Sequence, residues 1–181
     1  MYDKFQDPPG TVPNYVKVFS LRPEMWNTYL QFIGNVRGDM DLRRYELVAT
    51  TAALAVESSY CSLAHGQTLR DKALGAAQTE AFARNYAESE LTPAEKAMVA
   101  YVRKIALRAS AITQADIDEL HGHGFSDREI LDIALAAAAR CFFSKLLDAV
   151  GAEPDHHYTE LEPGLRAALT VGRAIETSPS K

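Results

Sequence analysis

The chain has 181 residues, of which 47% are hydrophobic and 24% charged, and its formal net charge is −5. This length allows one domain with a sizeable core, and the lack of a basic block argues against binding nucleic acid or an anionic membrane. The first ten residues, MYDKFQDPPG, lack the apolar core of a signal peptide. The longest run without charge or strong polarity, at 47–56, is shorter than the ~20 residues that a bilayer requires. We therefore expect a soluble, cytoplasmic protein.

The first half of the chain predicts helices after a Pro-rich N-terminal arm at 1–13. Apolar residues at helical spacing predict a helix at 23–36, whose aromatic residues we interpret as core or as an interface. The segment 42–56 is apolar on nearly every side beyond Glu46, which indicates a buried central helix. The next helix is predicted to begin at 58–65.

The second half carries stronger helix-start signals. Thr92 with Glu95, and Ser126 with Glu129, have the spacing of capping boxes, in which the two side chains satisfy each other's backbone N–H groups. The helices predicted there lie at 91–107, 113–124, 126–151 and near 163–175.

The pattern as a whole predicts a single all-α domain, a compact helical bundle. No alternating Val/Ile/Thr/Tyr run indicates a strand, and no stretch has the composition of a linker. We divide the chain into the arm at 1–13, the main domain at 14–152, and a C-terminal extension at 153–181 with a short helix and a frayed end.

The candidate chemistry centres on Cys61, one of two cysteines in the chain. We predict Ser58 as the N-cap, its hydroxyl accepting from the backbone N–H of Tyr60 or Cys61. Cys61 then falls in the first helical turn, where free N–H groups and the helix dipole stabilise a thiolate. His65 lies one turn further on the same face and can hold or return a proton.

An acid/base partner for this pair is predicted at Glu46. Its helix is expected to be buried, so its carboxylate needs a partner there. Glu57 is nearer to Cys61 in sequence, but it lies at a helix end where solvent is expected. We therefore favour Glu46.

The stretch RRYELVATTAALAVESSYCSLAHG (43–66) resembles the alkylhydroperoxidase D-like (AhpD-like) and carboxymuconolactone decarboxylase superfamily. Its redox-active members carry a glutamate, then a Cys-x-x-Cys pair about a dozen residues on, then x-x-x-His. The later stretches LTPAEKAMVAYVRKIAL and SDREILDIALAAAARCFFSKLLDAVG are similar to the rest of the peroxidase-related branch. The resemblance spans about 14–152.

This resemblance implies a compact all-α bundle that assembles as a homo-oligomer, a trimer or hexamer, and acts on a small hydroperoxide without a cofactor or a metal. It implies that Cys61 attacks the peroxide while His65 and Glu46 relay protons. Ser58 stands where these enzymes keep the cysteine that resolves the sulfenic acid, and serine cannot form that disulfide. Recycling then needs Cys141 or, more simply, an external thiol reductant.

Several interpretations compete with this hypothesis. The superfamily's lactone decarboxylases work by acid/base groups alone, which would make Cys61 dispensable. A non-enzymatic oligomer could use Cys61 as a redox sensor or as a structural thiol. Cys61, His65 and a glutamate are also suitable zinc ligands, although their spacing is a weak signal. Tyr60 could line a substrate pocket or serve packing, and Cys141 reads as core filler.

Overall fold

The computed structural model describes residues 11–178, and within this range the chain is helical with no strand. The described part contains nine α-helices: α1 (Asn14–Phe19), α2 (Pro23–Arg37), α3 (Leu42–Ala55), α4 (Ser59–Leu69), α5 (Ala76–Arg84), α6 (Pro93–Arg108), α7 (Gln114–Gly122), α8 (Asp127–Ala149) and α9 (Pro163–Leu169). A π-helical turn (Arg70–Leu74) and two 3-10 segments (Ala109–Ala111 and His156–Glu160) complete the elements.

The predicted all-α class is confirmed. Each predicted helix is present, with the largest boundary difference in α9, which ends at Leu169. The helices α1 and α5 were not predicted. Most of the predicted arm, residues 1–10, and the last three residues of the predicted frayed end, 179–181, lie outside the described residues.

The predicted helix starts in the second half have the expected capping geometry. At α6, the Thr92 hydroxyl accepts from the Glu95 N–H while the Glu95 carboxylate accepts from the Thr92 N–H. The same reciprocal pair joins Ser126 and Glu129 at α8. These caps satisfy N–H groups that a helix start would otherwise leave unpaired.

The helix α3 lies at the centre of the bundle, as its apolar pattern predicts. Nine consecutive residues, 45–53, are buried, because α3 packs against α4, α6 and α8 together. Glu46 is therefore held inside the bundle with only 6% of its surface exposed.

A tight turn places the start of α4 beside the end of α3. The connection spans only 56–58, and Glu57 adopts a left-handed backbone conformation with φ of 57°, which is uncommon for a residue other than glycine. The Ser58 N–H donates back to the Ala53 carbonyl at 3.0 Å. This reversal lets α4 run back along α3 and brings its side chains next to Glu46.

The C-terminal extension packs against the opposite side of α4. Leu165 and Leu169 are fully buried, and the Ser62 hydroxyl donates to the Leu169 carbonyl. A Cβ at Gly66 would lie 2.5 Å from Leu169 Cδ1, so any other residue there would push the Leu169 side chain out of its present position. The extension thus fixes the helix that carries Cys61.

Within residues 11–178, none of the helices combines the length and the apolar character that crossing a membrane demands.

Candidate active site

Cys61 is the third residue of α4, and 3% of its surface is exposed. Ser58 occupies the N-cap position, but its hydroxyl makes no cap hydrogen bond and is buried without a partner among the described residues. The predicted side-chain cap is therefore wrong. The physical reason is the backbone of Ser58, whose ψ is 99°, whereas the capping residues Thr92 and Ser126 have ψ of 158° and 162°.

Glu46 and His65 form a buried pair across α3 and α4. The carboxylate Oε2 of Glu46 lies 2.6 Å from Nδ1 of His65. Glu57, the alternative carboxylate, is exposed at the α3–α4 turn. The structure therefore brings together the glutamate and histidine that the sequence analysis paired.

The environment of His65 keeps its imidazole neutral. Burial lowers the pKa of His65 below its ordinary value of 6.5, and the positive charge of Arg140 lowers it further, against the opposing effect of Glu46. When the Glu46 carboxylate accepts from Nδ1–H, the basic atom of the neutral ring is Nε2. His65 can then accept a proton at Nε2, while Glu46 stabilises the imidazolium that forms.

Arg140, on α8, supplies a positive charge to Cys61. Its Nη1 lies 3.6 Å from the Cys61 sulfur, and only 6% of its surface is exposed. Burial alone would lower the pKa of Arg140, but the neighbouring Cys61, Tyr29 and Tyr45 raise it above its usual range. Within residues 11–178, no carboxylate forms an ion pair with Arg140.

A buried guanidinium without a carboxylate is costly unless another anion compensates it. Among the described residues, the Cys61 sulfur accepts a hydrogen bond from Arg140, and as a thiolate it would supply the missing negative charge. A charge-assisted hydrogen bond typically contributes about 1.5–3 kcal/mol, which is more than the roughly 0.3–1 kcal/mol of a helix dipole.

Cys61, His65 and Arg140 open onto one cavity of about 330 Å³. This volume lies at the lower end of the range for small-molecule sites, roughly 300–1,000 Å³. Its remaining walls are aromatic and aliphatic apart from Arg37: Tyr15, Trp26, Tyr29, Ile33, Tyr45, Tyr60, Ala64, Phe143 and Leu147. The cavity therefore combines an apolar body with a small polar end at Cys61.

Aromatic stacking builds part of the cavity wall next to Arg140. The Tyr29 ring stacks on the Phe143 ring with centroids 4.6 Å apart. The Arg140 guanidinium lies over the Phe143 ring, 5.5 Å from its centroid. Burial raises the pKa of Tyr29 well above its usual range, although the charge of Arg140 opposes this shift. The Tyr29 hydroxyl is therefore a neutral hydrogen-bonding group at physiological pH.

Tyr60 lines the cavity with its ring while its hydroxyl is held elsewhere. The hydroxyl donates to the Asp155 carboxylate and accepts from the Tyr15 N–H at 3.0 Å. Burial and the Asp155 carboxylate raise the pKa of Tyr60 beyond its usual range. The sequence left open whether Tyr60 lines a pocket or serves packing, and its side chain does both.

Cys141 does not share the cavity with Cys61. It is half-buried and packs against a separate apolar cluster that includes Ile133 and Ala137, and burial raises the pKa of its thiol. Successive residues on a helix point about 100° apart, so Arg140 and Cys141 face different sides of α8. In the described part of the chain, no three His, Cys, Asp or Glu side chains group together as a metal site would require.

The sequence analysis missed Arg140 and the aromatic residues Trp26 and Tyr29 as parts of the site. A signal for Arg140 was present, because it is the one charged residue between Asp132 and Lys145 in a strongly apolar helix. A lone buried charge needs a partner. The α2 aromatics carried no such signal, since core and cavity-wall residues have the same helical spacing.

Comparison with solved structures places this arrangement in a known fold. The chain is similar to the alkylhydroperoxidase AhpD core of an uncharacterized peroxidase-related protein from Ralstonia eutropha JMP134 (24% identity over 87% of this chain and 84% of that one, TM-score 0.78). It is also similar to an uncharacterized peroxidase-related protein from Silicibacter sp. TM1040 (23% identity, 88% and 85% covered, TM-score 0.80). The AhpD-like fold expected from the sequence is thus confirmed.

A third similar structure comes from a protein with a different named activity. The apo debrominase Bmp8 is 16% identical over 93% of this chain and 87% of that one, with a TM-score of 0.72. A variant of Bmp8 has been solved in complex with 2,3,4-tribromopyrrole. No protein-family model and no curated protein matches the chain.

Proposed function

We propose that the protein is a thiol-dependent hydroperoxidase in which Cys61 attacks the O–O bond of a small organic hydroperoxide. The observation that carries this proposal is the 3.6 Å contact between the buried Arg140 guanidinium and the Cys61 sulfur. A cation without a carboxylate partner favours the thiolate, which is the nucleophilic form of cysteine. A reducing, cytoplasmic compartment, where thiols are abundant, suits this chemistry.

The reaction begins with transfer of the Cys61 proton to Nε2 of His65, whose imidazolium Glu46 stabilises. The thiolate then attacks the terminal oxygen of the hydroperoxide, so that an S–O bond forms as the O–O bond breaks. The departing alkoxide takes the proton from His65 and leaves as an alcohol. One electron pair passes from sulfur to peroxide, and Cys61 becomes a sulfenic acid.

The environment of His65 suits the second proton transfer, from the imidazolium to the alkoxide. Because burial and Arg140 lower the pKa of His65, its imidazolium is a stronger acid than a solvated one. It therefore returns the proton readily to an alkoxide. Glu46, bonded to Nδ1, keeps Nε2 as the atom that carries this proton.

The proposal is tested by following consumption of an organic hydroperoxide in the presence of excess thiol. We expect turnover by the wild type and by Cys141→Ser, but a loss of at least a hundredfold in Cys61→Ser. Glu46→Gln, which keeps an amide in place of the carboxylate, should retain the fold and lose activity. Equal rates for the wild type and Cys61→Ser contradict the proposal.

A second candidate function uses the same thiolate on a halogenated aromatic compound. The aromatic walls of the cavity, together with the fold shared with a debrominase, favour it. Overall, an aryl halide and two thiols would give the dehalogenated arene, hydrogen halide and a disulfide. Bromide release from 2,3,4-tribromopyrrole with excess thiol tests this candidate, and no release beyond that of Cys61→Ser excludes it for that compound.

Two alternatives dispense with thiol turnover. A lactone decarboxylase-like enzyme would need His65 and not Cys61, so His65→Ala would abolish its activity while Cys61→Ser would not. A redox sensor would form a sulfenic acid or mixed disulfide on Cys61 without sustained consumption of peroxide. The buried Arg140–Cys61 contact favours chemistry at the sulfur over the first of these alternatives.

A further inference from the structure

The sulfenic acid that the proposed function forms on Cys61 has no thiol of this chain beside it. Ser58 takes the position three residues earlier, and Cys141 packs in a different cluster. We propose, resting on the proposed function, that the reductant is a low-molecular-weight thiol bearing a carboxylate, which enters the cavity, and that it is not a protein dithiol.

Access to the sulfur supports a small reductant. Only 3% of the Cys61 surface is exposed, and that surface faces the 330 Å³ cavity. A cysteine on the surface of a folded protein would have to insert its backbone between the aromatic walls to attack this sulfur. A small free thiol fits inside such a volume, as ligands of similar sites do.

The charge of the cavity supports a carboxylate on that thiol. Arg37 and Arg140 both line the cavity, whereas no carboxylate does among the described residues. Arg37 is exposed, its guanidinium lies 5.7 Å from the Tyr45 ring centroid, and within residues 11–178 it forms no ion pair. Arginine pairs with carboxylates through parallel N–H donors, so Arg37 can receive the anionic end of an entering thiol.

The chemistry needs two molecules of the reductant. The first thiol gives up its proton, its thiolate attacks the Cys61 sulfenic sulfur, an S–S bond forms as the S–O bond breaks, and the hydroxide leaves as water after taking that one proton. The second thiolate attacks the sulfur of the bound reductant, which releases the Cys61 thiolate and a symmetric disulfide. The reductant supplies the electron pair that the peroxide removed.

The test is a single-turnover reduction experiment. The protein is oxidised with one equivalent of cumene hydroperoxide, and the sulfenic acid is verified at Cys61 by a dimedone-type probe. Its loss is then timed with 3-mercaptopropionate, 2-mercaptoethanol, cysteamine or a thioredoxin-type dithiol protein, at equal thiolate concentrations. We expect the anionic thiol to react at least tenfold faster than the cationic thiol and than the dithiol protein.

Matched arginine variants test whether the preference for an anionic thiol comes from the cavity or from the overall charge of the protein. Arg37→Gln should reduce the ratio of anionic to cationic rates to below threefold, whereas Arg128→Gln, an exposed arginine on α8 outside the cavity, should leave it unchanged. A dithiol protein that reduces Cys61 fastest, or a ratio near one in the wild type, overturns this inference alone. Absence of any sulfenic acid overturns the proposed function and this inference together.

Discussion

Arg140 is the residue that turns a buried cysteine into a candidate nucleophile. A cysteine in an apolar setting is normally inert, and Cys61 opens onto a cavity with mostly aromatic walls. The guanidinium at 3.6 Å changes this setting, because it offers a positive charge that no carboxylate neutralises in the described part of the chain. In the proposed mechanism, the reactivity of Cys61 therefore depends on a residue 79 positions away in sequence.

Substitution of Arg140 should lower the reactivity of Cys61. Charge-assisted hydrogen bonds contribute about 1.5–3 kcal/mol, so Arg140→Met should slow alkylation of Cys61 by iodoacetamide at pH 7 at least tenfold. Iodoacetamide is uncharged, so its own attraction to the guanidinium does not contribute to the measured rate. Mass spectrometry can follow Cys61 and Cys141 in the same sample.

The control for this experiment is Arg128→Met, which changes an exposed arginine of the same helix. It should leave the alkylation rate of Cys61 within twofold of the wild type. An unchanged rate in Arg140→Met would show that the guanidinium does not stabilise the thiolate.

His65 should give the protein a specific dependence of stability on pH. Its pKa is lowered in the folded state, so between this value and about 6.5 the unfolded chain binds a proton that the folded chain does not. The free energy of unfolding contributed by His65 is therefore fully present above pH 6.5 and falls as the pH drops towards the folded-state pKa. Urea unfolding of the wild type and of His65→Gln at pH 7.5, 6.5, 5.5 and 5.0 measures this difference.

The variant His65→Gln keeps an amide N–H for Glu46 but has no titrating ring. Its stability should decrease less than that of the wild type over this interval. Parallel curves for the two proteins would contradict the lowered pKa.

At the scale of elements, α4 is positioned from both sides. The short turn from α3 directs its first residues, and the segment after α9 holds them, because the Gly172 N–H donates to the Ser59 hydroxyl at 2.8 Å. The Tyr60 hydroxyl joins α4 to Asp155. The C-terminal extension therefore contributes to the site even though none of its described residues, 153–178, lines the cavity.

A pair of serine variants tests the observed difference between two helix starts. Ser126→Ala removes a hydroxyl that accepts from the Glu129 N–H, so it should lower the free energy of unfolding by about 1 kcal/mol. Ser58→Ala removes a buried hydroxyl that has no partner among residues 11–178, so it should be neutral or stabilising. Chemical denaturation measures both values. If Ser58→Ala lowered the free energy of unfolding by about 1 kcal/mol, the Ser58 hydroxyl would cap α4 as predicted from the sequence.

Most of the helices, and the central position of α3, could be predicted from the sequence. The capping boxes at Thr92 and Ser126 and the apolar character of 42–56 are local signals, and local interactions decide these features. The cap at Ser58 was wrong because the backbone angle of that residue depends on the turn from α3. Arg140 was missed because its partner is distant in sequence, and α5 because its short amphipathic pattern resembles its flanking segments.

At the scale of the whole molecule, one surface is unusually apolar. Between α2 and α8, several large apolar side chains are exposed around a groove of about 420 Å³: Met25, Phe32, Leu135 and Phe142. We call these four residues the α2/α8 surface. Contiguous exposed apolar patches commonly mark interaction sites, so we propose that copies of the chain meet here in the homo-oligomer expected from the sequence.

Light scattering coupled to size-exclusion chromatography tests this assembly. The wild type should elute as a trimer or hexamer, and Phe142→Glu, which places a charge on the α2/α8 surface, should give a smaller species. Leu107→Glu is the control, because Leu107 is equally exposed at 56% but lies on α6. A monomeric wild type, or dissociation by the control alone, would contradict the proposed interface.

A single-turnover measurement decides whether Cys61 is a peroxide-reducing thiol. Reduced protein without external thiol is mixed with one equivalent of an organic hydroperoxide, and alcohol formation and the mass of the Cys61 peptide are recorded together. We expect alcohol in proportion to protein and one added oxygen on Cys61, in the wild type and in Cys141→Ser but not in Cys61→Ser. Alcohol formed equally by Cys61→Ser, or no alcohol and no oxidation of Cys61 in the wild type, would rule out this role of Cys61.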